Sequence, residues 1–345
     1  LDIVFTALHG TSIVSVPPAL AKAGFTNVQL VEAQSTPDGN FPTVASPNPE
    51  ESAALAMAVA QAEATGADLV IGCDPDTDRV GIAVNDGTGK MQLLNGNDTA
   101  ALLVHYILNA YKTNGTLPAN GFTAATVVTT DLIADISAAY GVPCYRCLTG
   151  FKWIADIINN KPEEQFLVGG EESYGYLIGD DVRDKDAVAS AVMIAEMAAN
   201  AKAQGRTVLQ QLEAIHREFG QYQERLISIT KKGRSGAQEI ADMMTALRND
   251  PPKTLAGSPV IVAIDHAKST QTDLRTGATS STQLPASNVL QFITEAGDKV
   301  SARPSGTEPK IKFYFSVRTT TGESHAATKA ELERKIDTFI EELNL

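Results

Sequence analysis

The feature that most constrains the fold is the continuous apolar run Leu69-Val70-Ile71, which follows an amphipathic helical pattern. Such a run is typical of a strand buried on both faces in a parallel sheet. The preceding helix is predicted to open at Pro49-Glu50-Glu51, because proline and acids are favoured in a first turn. Another apolar strand is predicted over 3–8. This alternation of strands and helices predicts an α/β domain built from βαβ units.

A chain of 345 residues is too long for one ordinary core, so several domains are expected. The turn-rich stretch 113–121 marks a first boundary. A second α/β region contains an alanine-rich helix over 186–203, and a third region begins near Gln221. The last predicted helix, 328–343, has Glu331 three residues after Thr328, as in a capping box.

Charge and cysteine usage exclude several classes of protein. The formal net charge is −13 and no basic run is present, which argues against a nucleic-acid partner or an anionic membrane surface. No apolar run approaches the roughly 18 residues that a membrane span needs. The three cysteines, Cys73, Cys144 and Cys147, are an odd and sparse set that fits a reducing cytosol. We therefore expect a cytoplasmic protein whose thiols are buried rather than paired.

An acidic loop follows the buried strand directly: Asp74-Pro75-Asp76-Thr77-Asp78-Arg79. Three carboxylates at alternate positions can converge on one hard divalent cation, and a set of oxygen ligands suits Mg²⁺. Without a cation, three like charges at one strand end would repel one another. An EF-hand is excluded because Arg79 stands where that loop requires glycine and because strands flank the loop. The sequence therefore predicts a magnesium site at Asp74, Asp76 and Asp78.

A second polar loop, Arg303-Pro304-Ser305-Gly306-Thr307-Glu308-Pro309-Lys310, predicts a phosphate site. It combines an arginine, two hydroxyls, a nearby lysine and a glycine that allows backbone amides to approach an anion. An ordinary turn between strands would explain the proline and glycine but not the other donors.

Two further loops carry weaker signals. Gly169-Gly170-Glu171-Glu172-Ser173-Tyr174-Gly175 can exchange hydrogen bonds with sugar hydroxyls, or it can be a surface turn. Thr149-Gly150-Phe151-Lys152-Trp153 places a lysine among aromatic residues, where it could have a lowered pKa and serve in proton transfer or phosphate contact. A helix lysine with its stem on an apolar surface is the alternative.

In this order the four loops resemble those of the α-D-phosphohexomutase superfamily, which includes phosphoglucomutase and phosphomannomutase. The four loops look most like those of the phosphoglucomutase/phosphopentomutase-like branch of this superfamily. The segments that carry this closer resemblance are 5–11, 149–152 and 171–176. The resemblance implies two related α/β domains with mixed sheets, followed by a smaller α+β domain with an antiparallel sheet. It implies domain II over 1–118, domain III over 119–220 and domain IV over 221–345.

The resemblance also implies roles for single residues. Asp74, Asp76 and Asp78 would bind Mg²⁺, Arg79 would lie near the phosphoryl group, and Lys152 would assist proton transfer. Glu171 and Ser173 would bind the sugar, and the phosphate ligands would be Arg303, Ser305, Gly306 and Thr307. One departure is Tyr174, because many members pass directly from the serine to glycine. The implied reaction interconverts hexose 1-phosphate and hexose 6-phosphate through a phosphoserine and a bisphosphate intermediate, with a glucose 1,6-bisphosphate-type activator.

The family's nucleophilic serine has no convincing counterpart here. Its nearest lookalike is Ala45-Ser46-Pro47-Asn48-Pro49, which has Pro47 in place of a histidine and is better interpreted as a helix entry. The abrupt start at Leu1 suggests that the sequence begins partway through a longer protein. We therefore expect the phosphoserine domain to be absent, and this chain alone to have negligible mutase activity.

Other functions remain open at this stage. Phosphomannomutase and phosphopentomutase are alternatives within the superfamily, with glucose 1-phosphate the first choice of substrate because of Gly150-Phe151-Lys152. A remote alternative is a haloacid-dehalogenase-type phosphatase, since 76–80 matches its D-x-D-x-[TV] motif and 179–184 its G-D-x-x-x-D motif. That alternative gives no role to Asp74 or to the Arg303 loop.

Overall fold

The structure is a computed structural model that describes residues 1–231, 233–306, 308–320 and 324–345. The chain forms two compact units, Leu1–Ile215 and His216–Leu345. The first unit contains two mixed sheets and the second an antiparallel sheet, which confirms the predicted fold class. The three-domain division at 118/119 and 220/221 stays a prediction.

The first sheet has five strands in the order β2-β1-β3-β4-β5, with β1 parallel to β2 and β3 and the last two strands antiparallel. Its strands are β1 (Ile3–Thr6), β2 (Val28–Leu30), β3 (Leu69–Cys73), β4 (Val80–Asn85) and β5 (Met91–Leu94), and the helices along this part of the chain are α1 (Val16–Lys22), α2 (Ser52–Thr65) and α3 (Gly96–Thr113).

Close packing of α2 on the sheet explains the apolar run of β3, all five residues of which are buried. A Cβ at Gly72 would lie 2.3 Å from Cδ2 of Leu55, so the glycine leaves room on the strand for this helix side chain. The predicted helix start at Pro49 is wrong: Glu51 has an extended backbone and α2 begins at Ser52. The two glutamates therefore precede the helix instead of forming its first turn.

The second sheet has four strands and repeats the order of the first four strands of the first sheet, as β7-β6-β8-β9, with β6 parallel to β7 and β8 and with β9 antiparallel. Its elements are β6 (Gly121–Thr126), α4 (Leu132–Ala139), β7 (Cys144–Cys147), α5 (Lys152–Asn160), β8 (Gln165–Gly170), β9 (Tyr176–Ile178), α6 (Ala187–Ala203) and α7 (Val208–Phe219). In both sheets the third strand turns back into an antiparallel fourth strand. These two turns are the acidic loop and the Glu171 loop.

The second unit is an eight-stranded antiparallel sheet with two helices packed against its strands. Its elements are β10 (Gln221–Thr230), α8 (Gly233–Asn249), β11 (Thr254–Leu255), β12 (Ser258–Asp265), β13 (Thr270–Asp273), β14 (Thr279–Ser281), β15 (Leu290–Thr294), β16 (Lys299–Pro304), β17 (Lys310–Thr319) and α9 (His325–Glu342). A buried cluster around Phe313, Phe315 and Phe339 forms its core.

The last helix begins earlier than the sequence predicted. Ser324 has an extended backbone and its hydroxyl accepts a hydrogen bond from the Ala327 amide, so Ser324 is the N-cap and Thr328 lies inside α9. Both residues are good caps, and local sequence alone cannot choose between them.

All three cysteines are free, and Cys73 and Cys147 are buried, as expected. None of the helices in the described part of the chain is both long and apolar enough to cross a membrane.

Candidate active site

The three aspartates of the acidic loop converge where β3 ends. Asp74, Asp76 and Asp78 each offer a carboxylate oxygen, and these oxygens all lie within 4.8 Å of one another. Asp74 is buried, Asp78 is half-buried and Asp76 is exposed. The cluster is thus open to a ligand on one side and closed by protein on the other.

Asp74 is the aspartate that the loop itself orients. Its Oδ1 accepts hydrogen bonds from the backbone amides of Asp78, at 3.1 Å, and Arg79, at 2.9 Å. Burial raises the pKa of the Asp74 carboxyl to about 7. The hydrogen bond from the Arg79 amide lowers this pKa, and the negative charge of Asp78 raises it further. Three converging carboxylates, one of them buried with a raised pKa, provide the set of oxygen ligands that suits a hard divalent cation such as Mg²⁺.

Arg79 ends the acidic loop and is half-buried. Its Nη1 donates to Oε1 of Glu50 at 3.1 Å. Its Nε lies 3.9 Å from Oδ2 of Asp74 and 3.7 Å from Oδ1 of Asp78. The guanidinium is therefore beside the aspartate cluster.

A turn after β1 supports the acidic loop. The sequence did not reveal this support. The Thr11 amide donates to the Pro75 carbonyl at 2.8 Å, and the hydroxyls of Thr11 and Thr77 are 2.9 Å apart. A Cβ at Gly10 would lie 2.3 Å from Cα of Pro75, so this close approach needs glycine.

In the Glu171 loop the acidic side chains point away from one another. Oε1 of Glu171 accepts a hydrogen bond from the Gly150 amide at 2.7 Å. Oε2 of Glu172 accepts bonds from the hydroxyls of Thr129, at 3.1 Å, and Thr126, at 3.3 Å. Ser173 is half-buried. One acid thus ties this loop to the Gly150 turn and the other ties it to the turn after β6.

The acidic loop and the Glu171 loop are joined by backbone. The Val80 amide, directly after Arg79, donates to the Tyr174 carbonyl at 3.0 Å. Tyr174 has a left-handed backbone, with φ of 68°. The start of α3 closes over the same loop, since a Cβ at Gly96 would lie 1.9 Å from the Glu172 carbonyl oxygen. The extra Tyr174 noted in the sequence therefore supplies the acceptor that connects the loops.

Lys185 is a second residue that the sequence analysis missed. Its Nζ lies 2.7 Å from Oδ2 of Asp78, and its stem packs so closely on Gly175 that a Cβ there would lie 2.2 Å from Cδ of the lysine. One side chain thus contacts both loops. The charged pair Asp184-Lys185 was visible in the sequence, but nothing local indicated its distant partner.

Lys152 is the first residue of α5 and is exposed. Its Nζ lies 5.2 Å from the centroid of the Trp153 ring. The hydrogen bond between the Gly150 amide and Glu171 fixes the turn from which this lysine projects.

The Arg303 loop connects β16 to β17 in the second unit. The Ser305 amide donates to the Lys310 carbonyl at 2.7 Å, and the Glu308 amide donates to Oγ of Ser305 at 3.3 Å. Among the residues that the structure describes, no atom lies within 4 Å of a Cβ placed on Gly306, so their packing does not require glycine there. Thr307 lies outside the described residues.

Lys312 is paired directly across from Arg303 in the antiparallel sheet. Residues directly opposite each other project from the same face, and like charges there are unfavourable unless an anion lies between them. The alternation Lys310-Ile311-Lys312 could have revealed this residue. A cavity of about 610 Å³ adjoins the loop and is lined by Ser305, Gly306 and apolar residues of α8.

Comparison with known families assigns most of the first unit. The model of the phosphoglucomutase/phosphomannomutase alpha/beta/alpha domain II matches residues 1–88, and the model of domain III matches residues 95–219. Together they cover more than half of the chain.

Relatives and solved structures agree with these matches. The chain is 39% identical over 318 residues to a phosphoglucomutase of Staphylococcus epidermidis, covering 92% of this chain and 57% of the relative. It is 39% identical over 320 residues to a Haemophilus influenzae protein named "probable phosphomannomutase", covering 92% of this chain and 60% of the relative. The Paramecium phosphoglucomutase pp63/parafusin has a similar fold, with a TM-score of 0.66 at 16% identity over 98% of this chain and 57% of that one.

The chain spans somewhat less than two thirds of the length of these curated relatives. Two successive domain models and these relatives agree on one assignment. The chain belongs to the phosphoglucomutase/phosphomannomutase family.

Proposed function

We propose that this chain is the metal-, sugar- and phosphate-binding part of a phosphoglucomutase-type enzyme. The reaction is the interconversion of hexose 1-phosphate and hexose 6-phosphate through a phosphoserine and a bisphosphate intermediate. The observation that carries the proposal is the convergence of Asp74, Asp76 and Asp78 to within 4.8 Å, in a loop hydrogen-bonded to the Glu171 loop.

In the proposed site the three aspartates would hold Mg²⁺, and the chemistry the ion would supply is neutralisation of phosphoryl charge. Arg79 binds the same phosphoryl group, because its planar fork of donors suits a tetrahedral oxyanion. Lys152 moves a proton to or from the sugar hydroxyl that gains or loses the phosphoryl group.

Sugar recognition is assigned to Glu171 and Ser173. Since Oε1 of Glu171 binds the Gly150 amide, Oε2 is the oxygen proposed for a sugar hydroxyl. Glucose 1-phosphate is the proposed substrate; mannose and pentose phosphates are the alternatives within the family.

A phosphate is assigned to the loop of the second unit. Arg303 supplies charge, Ser305, Gly306 and Thr307 supply hydroxyl and amide donors, and Lys312 adds a second cation directly across from Arg303. An anion between Arg303 and Lys312 would relieve the repulsion between these two cations. The intact enzyme is proposed to use a glucose 1,6-bisphosphate-type activator.

Calorimetric titration of the chain with glucose 1,6-bisphosphate tests the proposal. We expect binding that requires Mg²⁺, is lost in EDTA and is weakened by Arg303→Gln, while glucose itself does not bind. Competition by mannose and ribose bisphosphates ranks the sugars. Binding that ignores both Mg²⁺ and Arg303→Gln would contradict the assignment.

Enzyme assays separate the mutase from the phosphatase alternative. A coupled glucose 1-phosphate assay should show negligible turnover by this chain alone, because it has no counterpart of the nucleophilic serine loop. Hydrolysis of p-nitrophenyl phosphate should be equally low. Phosphatase activity that depends on Mg²⁺ and is abolished by Asp76→Asn would favour the haloacid-dehalogenase mechanism instead.

A further inference from the structure

Two sets of acids compete for the Arg79 guanidinium. Its Nη1 is hydrogen-bonded to Oε1 of Glu50 at 3.1 Å. Its Nε faces Asp74 and Asp78 at 3.9 and 3.7 Å, and this buried nitrogen has no hydrogen-bond partner among the described residues. The arginine is therefore bonded to the glutamate and only adjacent to the aspartates.

The position of Glu50 is set by packing. A Cβ at Gly81 would lie 2.9 Å from both the Cβ and the carbonyl oxygen of Pro49, so the glycine in β4 lets this segment lie directly on the strand. The Glu50 amide donates to Oδ1 of Asn48 at 3.1 Å. Because α2 begins only at Ser52, Glu50 is not part of the helix. Its carboxylate is thus brought beside Arg79 by the segment that precedes the helix.

An arginine this close to Asp74 and Asp78 is itself a candidate counter-ion for their carboxylates. If its guanidinium turned inward, it would bond to the same oxygens that a divalent cation needs. Lys185 already occupies Oδ2 of Asp78 at 2.7 Å. A second cation bonded within the cluster would leave few oxygens for a metal ion.

We propose that Glu50 is a positioning residue for Arg79. It holds the guanidinium away from Asp74 and Asp78, so that Mg²⁺ binds without competition from the arginine and the arginine stays available to a phosphoryl group. The inference rests on the proposed function only for the presence of the divalent cation and the phosphoryl group.

Glu51 provides a matched control. It is the next residue, it carries the same charge, and its Oε1 accepts a hydrogen bond from Oγ of Ser46 at 2.8 Å instead of from the arginine. Glu50→Gln and Glu51→Gln therefore change the net charge of the chain equally, but only the first removes the charged acceptor from Arg79.

The test is calorimetric titration of the chain with MgCl₂. We expect Glu50→Gln to weaken Mg²⁺ binding about tenfold, as loss of a group that orients a metal site typically does. We expect Glu51→Gln to have no effect. In an Arg79→Gln background, Glu50→Gln should also have no effect, because no arginine remains to compete for the aspartates.

Two results would overturn the proposal. Equal affinities for Glu50→Gln and Glu51→Gln would show that the pairing has no influence on the metal. A loss of affinity that persists in the Arg79→Gln background would show that Glu50 attracts the ion by its own charge. Glu50→Asp, which keeps the charge on a side chain one methylene shorter, should weaken binding if positioning matters and leave it unchanged if only charge does.

The comparison of the Glu50 and Arg79 variants, alone and combined, measures Mg²⁺ affinity and does not depend on sugar binding. Coupling between Glu50 and Arg79 in Mg²⁺ affinity, combined with no binding of glucose 1,6-bisphosphate, would reject the proposed function and keep the positioning role. Binding of glucose 1,6-bisphosphate without coupling between Glu50 and Arg79 would keep the proposed function and reject the positioning role.

Discussion

The acidic loop and the Glu171 loop occupy the same position in two sheets of the same strand order, yet their acids behave oppositely. Each loop joins the third strand of its sheet to an antiparallel fourth strand. In the acidic loop, three carboxylates converge to within 4.8 Å. In the other, Glu171 and Glu172 point to different neighbours and each accepts hydrogen bonds from them.

The difference shows that equivalent backbone positions can serve opposite purposes. The Glu171 loop uses acids to fix neighbouring turns, which stabilises the folded state. The acidic loop keeps like charges together, which disfavours the ionised form of the buried Asp74 carboxyl even though Lys185 pairs with Asp78. Mutations in the two loops should therefore separate metal affinity from stability.

The largest expected effect is on metal affinity. Asp76→Asn removes one charged ligand and should weaken Mg²⁺ binding on the order of 100-fold. Glu171→Gln should leave Mg²⁺ affinity unchanged, because its carboxylate bonds to Gly150 and lies outside the aspartate cluster. Calorimetric titration with MgCl₂ measures both. Similar losses in both variants would mean that the loops act as one charged site.

The next effect is a dependence of stability on pH. The folded-state pKa of Asp74, about 7, lies above the unfolded value of about 3.9. Between these values only the folded state binds the proton, so the free energy of unfolding falls as the pH rises. The stabilisation by the Asp74 proton is complete below about pH 4 and is lost as the pH rises through 7. Allowing for solvent screening, we expect this rise in pH to lower the free energy of unfolding by an amount on the order of 2 kcal/mol.

Asp74→Asn mimics the protonated form and isolates this contribution. Without Mg²⁺ the variant should be more stable than the wild type at pH 8 and equal to it at pH 4. Urea unfolding followed by the fluorescence of Trp153, the only tryptophan of the chain, measures the first unit. Added Mg²⁺ at pH 8 should stabilise the wild type. An Asp74→Asn difference that does not vary with pH would contradict the raised pKa.

A smaller effect is expected when the Glu171 loop is altered. Glu171→Gln replaces a charged acceptor of the Gly150 amide with a neutral one and should lower the free energy of unfolding by about 1 kcal/mol. Asp76→Asn, measured in EDTA, should not lower it, because the change relieves repulsion among the aspartates. Urea midpoints at pH 8 compare the two. Destabilisation by Asp76→Asn in EDTA would mean that the acidic loop, too, is held together by its acids.

Much of this comparison could be predicted from sequence, and the rest depends on distant contacts. The apolar run at 69–71 identified β3, and acids at alternate positions after it identified the cluster, because both signals are local. The same reasoning selected Glu171 by residue type, but only the fold shows that its carboxylate faces the Gly150 amide. Lys185 lies more than 100 positions from Asp78, and no local pattern connects them.

The helix start near Glu50 shows how a local preference can mislead. Proline followed by acids is a good first turn. In the structure Pro49 packs on Gly81 instead, the Glu51 amide donates to the Asn48 carbonyl in a turn, and α2 begins only at Ser52. The tertiary contact overrides the local preference. It also gives Glu50 its partner.

The smallest expected effect concerns the backbone that the two loops share. Thr77 and Tyr174 both have left-handed backbones, with φ of 65° and 68°. For a β-branched residue this conformation is costly, whereas asparagine tolerates it. Thr77→Asn should therefore raise the free energy of unfolding by about 0.5 kcal/mol, in spite of the lost contact with the Thr11 hydroxyl. Thr11→Val removes that contact together with the hydrogen bond from the Thr11 hydroxyl to the Pro75 carbonyl, and should be slightly destabilising. Equal destabilisation of both variants in urea would show that the left-handed backbone of Thr77 costs no free energy of folding.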